Sequence, residues 1–264
     1  MELYYLQNKN IESIFQMGNK SSIIRKKQPK QDDGMEEFTI DTMADRAMRQ
    51  LKDKDPELVP YFNAINSVIH SPDDFYIPCH ATKLDDCLYL GSIEDAKNVD
   101  LLKQNNITYI INTVDDDAKS DTKSDDTSHS EDTKSENPMY DDSFKYMGFS
   151  SEDAMEYPIM DHFEDTHAFI EKARENNAKC LIHCMRGVNR SGALATAHIM
   201  VKNKIGPITA TQIVYKKRGM LLTNPSFVSD LLRYARDNQY LDLDKNHVLL
   251  NKTPDNELKK NETE

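Results

Sequence analysis

Along the chain, short apolar runs alternate between periods of about 2 and 3.6 residues, the spacings that separate strands from helices. Residues 36–66 carry a loose helical pattern interrupted at Pro56 and Pro60. From about Ile77 the pattern sharpens. "CLYLGS" (Cys87–Ser92) predicts a short strand, and "DAKNVDLLKQNN" places Ala96, Val99 and Leu102 on one helix face. "ITYIINTV" (Ile107–Val114) is β-branched and aromatic, as a strand buried in a parallel sheet should be. "FKYMGF" (Phe144–Phe149) predicts the next strand, followed by a helical stretch with apolar positions at Ile159, Phe163, Phe169, Ile170 and Ala173. "KCLIHC" is strand again, and "SGALATAHIMVKN" is a helix stopped by Gly206-Pro207. "TATQIVYKKRG" predicts a helix capped by Thr209 and ended by Gly219. Asn224-Pro225 offers an N-cap with proline at the first helical position, and Phe227, Leu231 and Ala235 form the inward stripe of the helix that follows. Strands alternating with helices predict an α/β fold.

The stretches between and beyond these elements are polar. Residues 1–35, basic at "RKKQPK", read as a disordered arm, 36–69 as an N-terminal helical segment, and 243–264 as a polar tail. Residues 115–142 hold eleven acidic residues against three lysines, too little apolar surface to offset the entropy of ordering, so they read as a disordered insertion. Ser128 with Glu131 three residues on fits an acid-directed kinase. The chain has 264 residues, 38% hydrophobic, which suits one domain of roughly 150–200 residues plus these extensions. Net charge is −12, which disfavours non-specific binding of DNA or of an anionic membrane by the whole chain. Four cysteines do not make a disulfide scaffold, no run approaches a membrane span, and the first residues lack a secretory signal. A reduced intracellular compartment, cytoplasmic or nuclear, is expected.

The chemistry concentrates at "KCLIHCMRGVNRSG". A strand ends at Cys184, a loop runs from Met185 through Arg186, Gly187, Val188 and Asn189 to Arg190, and a helix begins near Ser191. The loop N–H groups have no strand partners, and a helix N-terminus leaves its first donors unpaired. Together they make an anion nest at the positive end of a helix dipole. Arg190 can add a planar two-donor fork to phosphate oxygens. Gly187 lets the loop curl. The field that holds phosphate also favours thiolate, so the Cys184 pKa should fall below the free value of ~8.5, making it a nucleophile aimed at phosphorus.

"HCMRGVNRS" resembles the His-Cys-x5-Arg-Ser/Thr signature of cysteine-dependent phosphatases. The span from about Pro78 to Tyr240 looks like a dual-specificity protein phosphatase domain, with "LYLGS", "NITYIINTV", the signature, and Arg218 followed by "NPSF" in the family's order. The resemblance implies the cysteine-phosphatase fold over 70–242: a central, mostly parallel sheet of four to five strands flanked by helices, with the phosphate loop between strand and helix. It implies hydrolysis of phosphotyrosine and phosphoserine or phosphothreonine on proteins through a cysteinyl-phosphate intermediate, with no metal and no cofactor.

The family also requires an aspartic acid to protonate the leaving oxygen. Asp161 stands only eight residues before Phe169. Asp153 follows the strand "FKYMGFS" and stands thirty-one residues before Cys184, a spacing like the family's, so Asp153 is the expected acid. By position, Ser191 helps the sulfur leave, His183 supports the loop, and Asn112 and Asn224 brace it. Arg186 departs from the small or neutral residue usual there and suggests substrates with extra negative charge. "GVNRSG" also resembles the loop of cysteine-type RNA 5′-triphosphatases, which keeps an RNA 5′ end as an alternative substrate. A non-catalytic phosphate-binding module is a further alternative. "MGNKSSIIRKK" matches a myristoylation signal, and would serve at a membrane only if translation began at Met17 and exposed Gly18. Cys180 and Cys184 lie ~13 Å apart along one strand, beyond the ~7 Å that a disulfide tolerates.

Overall fold

A computed structural model describes residues 24–27, 38–72, 76–114 and 139–250. Gly18, Ser128 with Glu131, and residues 115–138 and 251–264 lie outside the described residues.

Five strands form the central sheet: β3 (Thr82–Lys83), β4 (Leu88–Ser92), β5 (Ile107–Asn112), β6 (Lys145–Gly148) and β7 (Lys179–Cys184). Their order is β3-β4-β7-β5-β6, parallel throughout except for β3, which pairs antiparallel with β4. The α/β fold with a mostly parallel sheet is therefore present. β7 sits in the middle because five of its six residues are buried, and its two neighbours are nearly as apolar. Successive side chains alternate across the sheet. Cys180 and Ile182 face the large core, while Leu181 faces a smaller one with Ala96, Leu102, Ile107, Ile110, Tyr140 and Phe144. Ile107 and Ile110 share a face although three residues apart, because the β5–β7 register shifts between Ile107 and Tyr109.

Two short helices, α3 (Ile93–Lys97) and α4 (Val99–Gln104), cover the small face. The sequence pattern reads one helix there. Asn98 divides it, accepting from the Leu101 N–H at 3.1 Å as the cap of α4. The large face is covered by α5 (Phe163–Glu175), α6 (Arg190–Asn203), α7 (Pro207–Arg218) and α8 (Pro225–Asp237). In α6 every residue from Ser191 to Met200 is buried, the polar Ser191, Thr196 and His198 among them.

Several sequence-based boundaries move. The segment 36–69 contains α1 (Met43–Lys54), a 3-10 turn (Pro56–Leu58) and α2 (Val59–Ile69). Pro60 does not break a helix but sits in the first turn of one, where its missing N–H costs nothing. Leu51, Leu58, Phe62 and Ile65 are buried in the same large core as Leu231 and Val214, so no packing boundary falls at residue 70. Within the arm expected to be disordered, β1 (Ile24–Lys27) pairs antiparallel with β2 (Phe38–Asp41). Inside the expected acidic insertion, Tyr140 is already buried, its hydroxyl donating to Ala96 O at 3.0 Å. Inside the expected tail, Asp244 is buried and accepts from the Ile208 N–H at 2.6 Å and the Thr209 hydroxyl at 2.7 Å. It caps α7, which begins at Pro207, in place of the expected Thr209. All four cysteines are free thiols, Cys79 exposed and the others buried. Among the described residues no helix is long and apolar enough to cross a membrane.

Candidate active site

The C-terminal ends of the parallel strands lie along one edge of the sheet, where open α/β folds place ligands. There β7 ends at Cys184, opposite Ser92 of β4, and β5 ends at Asn112, opposite His183. The loop 185–189 carries the chain into α6.

The loop carbonyls are fastened outward. Met185 O accepts from the Ile93 N–H at 3.4 Å, Arg186 O from Arg218 Nη2 at 3.2 Å, Gly187 O from Arg218 Nε at 3.1 Å, and Val188 O from the Leu222 N–H at 3.0 Å. A peptide whose oxygen points away turns its N–H the other way, so the N–H groups face the cup. The Gly187 N–H donates to Cys184 Sγ at 3.1 Å. Gly187 has φ +66°, and a Cβ there would stand 2.3 Å from Gly91 O.

Cys184 is 2% exposed. Burial alone would push its thiol up. The Ser191 hydroxyl and the N–H groups of Ser191, Val188 and Arg186 outweigh burial and bring the thiol below its ordinary value. Ser191 Oγ is fully buried and has no hydrogen-bond partner of normal geometry, so it stands beside the sulfur as a loosely held donor. Arg190 donates from Nη1 to Ser151 O at 2.9 Å, while its Nε is buried without a partner. A buried donor left unmet costs about 1–3 kcal/mol. A bound oxyanion would satisfy it.

Asp153 is exposed on the loop between β6 and the 3-10 turn Ile159–His162. Asn189 Nδ2 donates to its two carboxyl oxygens at 3.2 and 2.9 Å, and Asn224 Nδ2 to Oδ1 at 2.9 Å. Asn189 Oδ1 in turn accepts from the Thr223 hydroxyl at 3.0 Å and the Asn224 N–H at 3.1 Å. Asp153 is therefore tied directly to the residue before Arg190. Asp161 instead lies exposed on the 3-10 turn that leads into α5.

Other expected site residues fall differently. Asn224 is buried and caps α8, and it reaches the phosphate loop only through Asn189. The Asn189 side chain holds Asp153 instead of lining the nest. The hydrogen bonds of the Asn112 side chain go elsewhere than the loop: its amide donates to the Tyr146 hydroxyl of β6 at 2.9 Å and its oxygen accepts from the Val114 N–H at 3.0 Å. His183 is buried, and its carbonyl takes both the N–H and the hydroxyl of Thr113. Met185 and Arg186 project to solvent at the rim.

The residue without an individual role in the sequence reading is Arg218. It is 1% exposed and donates to Arg186 O, Gly187 O, His80 O (2.9 Å) and Thr82 Oγ1 (3.0 Å). A basic residue in the last turn before Gly219 reads as a solvated partner of the helix dipole. Nothing local marks it as buried.

The family model for the dual specificity phosphatase catalytic domain matches residues 88–237. MAP kinase phosphatase with leucine-rich repeats protein 2 of Dictyostelium discoideum is 34% identical over 152 residues, 58% of this chain and 19% of that protein. Dual specificity protein phosphatase 1B of Arabidopsis thaliana is 27% identical over 152 residues, covering 58% of this chain and 80% of that protein. A crystal structure of DUSP15 superposes with a TM-score of 0.50 at 27% identity, covering 67% of this chain and 98% of that one. The chain thus spans under a fifth of the Dictyostelium relative's length.

Proposed function

The chain belongs to the dual specificity phosphatase family, and from that membership we propose that it hydrolyses phosphotyrosine and phosphoserine or phosphothreonine on proteins through a cysteinyl-phosphate intermediate. The observation that carries the reading is the Cys184 thiol. It is buried, yet its pKa is lowered by the Ser191 hydroxyl and by the backbone N–H groups of Ser191, Val188 and Arg186.

The substrate phosphoryl group sits in the cup, its equatorial oxygens on the loop N–H groups and on Arg190. The Cys184 thiolate attacks phosphorus, the P–O bond to the substrate breaks, and Asp153 gives its proton to the departing oxygen. Water then attacks the phosphocysteine, its proton passing to the Asp153 carboxylate, and the sulfur leaves toward the Ser191 hydroxyl. Of the donors that would serve these steps, Arg190 Nε is buried without a partner and the Ser191 hydroxyl is turned to the sulfur.

The test compares phosphopeptides with an RNA 5′-triphosphate, using wild type, Cys184→Ser, Asp153→Asn and Asp161→Asn. Phosphopeptides are the expected substrate, and Cys184→Ser should abolish turnover while retaining binding. Asp153→Asn should slow a poor leaving group about 10²-fold or more, and Asp161→Asn should do little. Preferential turnover of the RNA end, or the reverse ranking of the two aspartates, would overturn the reading.

A further inference from the structure

Asp153 must reach the leaving oxygen from a loop that is held at its tip by Asn189 and Asn224. What closes the base of that loop is a separate matter. The outgoing arm begins at Phe149-Ser150 and the returning arm ends at Tyr157. The Tyr157 hydroxyl donates to Ser150 O at 3.1 Å, bridging the two arms, and also lies 2.8 Å from His162 Nε2. The His162 ring stacks on Phe149, with centroids 4.2 Å apart and planes 11° from parallel, and lies 8° from parallel with the Tyr157 ring.

A phenol has one proton to give. If it goes to Ser150 O, the contact with His162 is a hydrogen bond only when Nε2 carries a proton of its own. Both contacts therefore hold together with the imidazole protonated on Nε2, donating to the phenol oxygen, which donates onward to the loop. The His162 ring is half-buried. Burial keeps its pKa below the ordinary value although Asp161 and Asp165 pull the other way, which favours the neutral ring, and the two contacts of the phenol then select its Nε2–H tautomer.

We propose that His162 and Tyr157 form a latch across the base of the Asp153 loop and act as positioning residues for the proton transfer. The proposal rests on Asp153 being the general acid. His162 orders the phenol, the phenol pins Ser150, and the pinned loop presents the carboxyl in one place. Glu156, at φ +67°, is tied from outside the loop by the side chain of Gln50 of α1, so the returning arm is fixed on its far side too. Neither latch residue hydrogen-bonds the phosphate loop in the contacts described, and the second route open to them is through Ser151, next to the pinned Ser150, whose carbonyl accepts from Arg190. An effect carried by Asp153 falls on chemistry that needs the acid, whereas one carried by Arg190 would fall on every leaving group alike.

The experiment measures kcat on aryl phosphates spanning good to poor leaving groups. The proteins are wild type, Tyr157→Phe, Asp153→Asn and the double variant, with thermal midpoints recorded alongside. Tyr157→Phe keeps the ring and loses the donor. It should slow the poor leaving groups about tenfold, in the range that small misplacements of a catalytic group cost. It should leave the good ones within about twofold and add nothing in the Asp153→Asn background. An equal loss across all leaving groups, the same loss in the double variant, or no loss at all would overturn the latch. A flat leaving-group profile for Asp153→Asn itself would overturn the acid assignment, and the latch with it, and is read from a different protein. Should Tyr157→Phe unfold, His162→Phe carries the same test with the phenol in place, and His162→Gln, which keeps an N–H donor, should restore the profile.

Discussion

Gly187 and Arg218 show how much of the site depends on what holds its loop in shape. At Gly187 two demands meet: a left-handed φ, and an approach to β4 in which a Cβ would collide with Gly91 O. Gly187→Ala should cost about 1–3 kcal/mol and raise the Cys184 thiol pKa, because the loop must open to relieve the clash. Chemical denaturation and a thiol-alkylation pH profile read the two effects. Arg218 holds the loop carbonyls outward from behind. Arg218→Met would leave four acceptors unmet and should cost about 2–4 kcal/mol, with loss of activity alongside. Activity surviving intact would mean that the loop keeps its shape without the guanidinium. The signature residues were legible in sequence because their spacing carries the chemistry. Arg218 was not, since its partners, three backbone carbonyls and the Thr82 hydroxyl, are far away in sequence.

Among the elements, the difference between expectation and structure is mostly one of caps. The strands were legible from apolar runs, since burial on both faces of a parallel sheet leaves room for little else. The start of α7 was not. Thr209 looks like a cap, but Asp244 reaches in from a later turn to meet Ile208 N–H, and no local pattern can announce a cap thirty-six residues away. Asp244→Ala should cost about 1–2 kcal/mol, seen as a thermal midpoint lowered by several degrees. An unchanged midpoint would show that the α7 donors find other partners. The Asp153 loop was read for its aspartate, whereas the contacts that seat it come from Asn189, Asn224 and Gln50.

Taken as a whole, the molecule packs helices from both ends of the described chain into one core, and its polar interior makes it sensitive to acid. His198 on α6 is fully buried, with its pKa pushed down to about 3 by burial first, and also by His167, Arg174 and Lys202. Asp85 opposes that shift but does not reverse it, and Glu171 lies 3.6 Å from the ring. A lowered folded-state pKa means that the unfolded chain takes up the proton first. Stability is complete above the ordinary 6.5 and falls as pH drops from there toward about 3. Asp85, also held far below its ordinary value, adds to the loss below about pH 4. Thermal midpoints across this range should decline, and His198→Gln should flatten the upper part of the decline. An unchanged slope in the variant would place the acid sensitivity elsewhere.

The most direct measurement of the central claim is the ionisation of Cys184, followed as the pH dependence of its alkylation rate in the intact protein, with Cys184→Ser as the blank. The Ser191 hydroxyl and the N–H groups aimed at the sulfur predict a midpoint below the ~8.5 of a free thiol. A midpoint at or above that value would contradict the account.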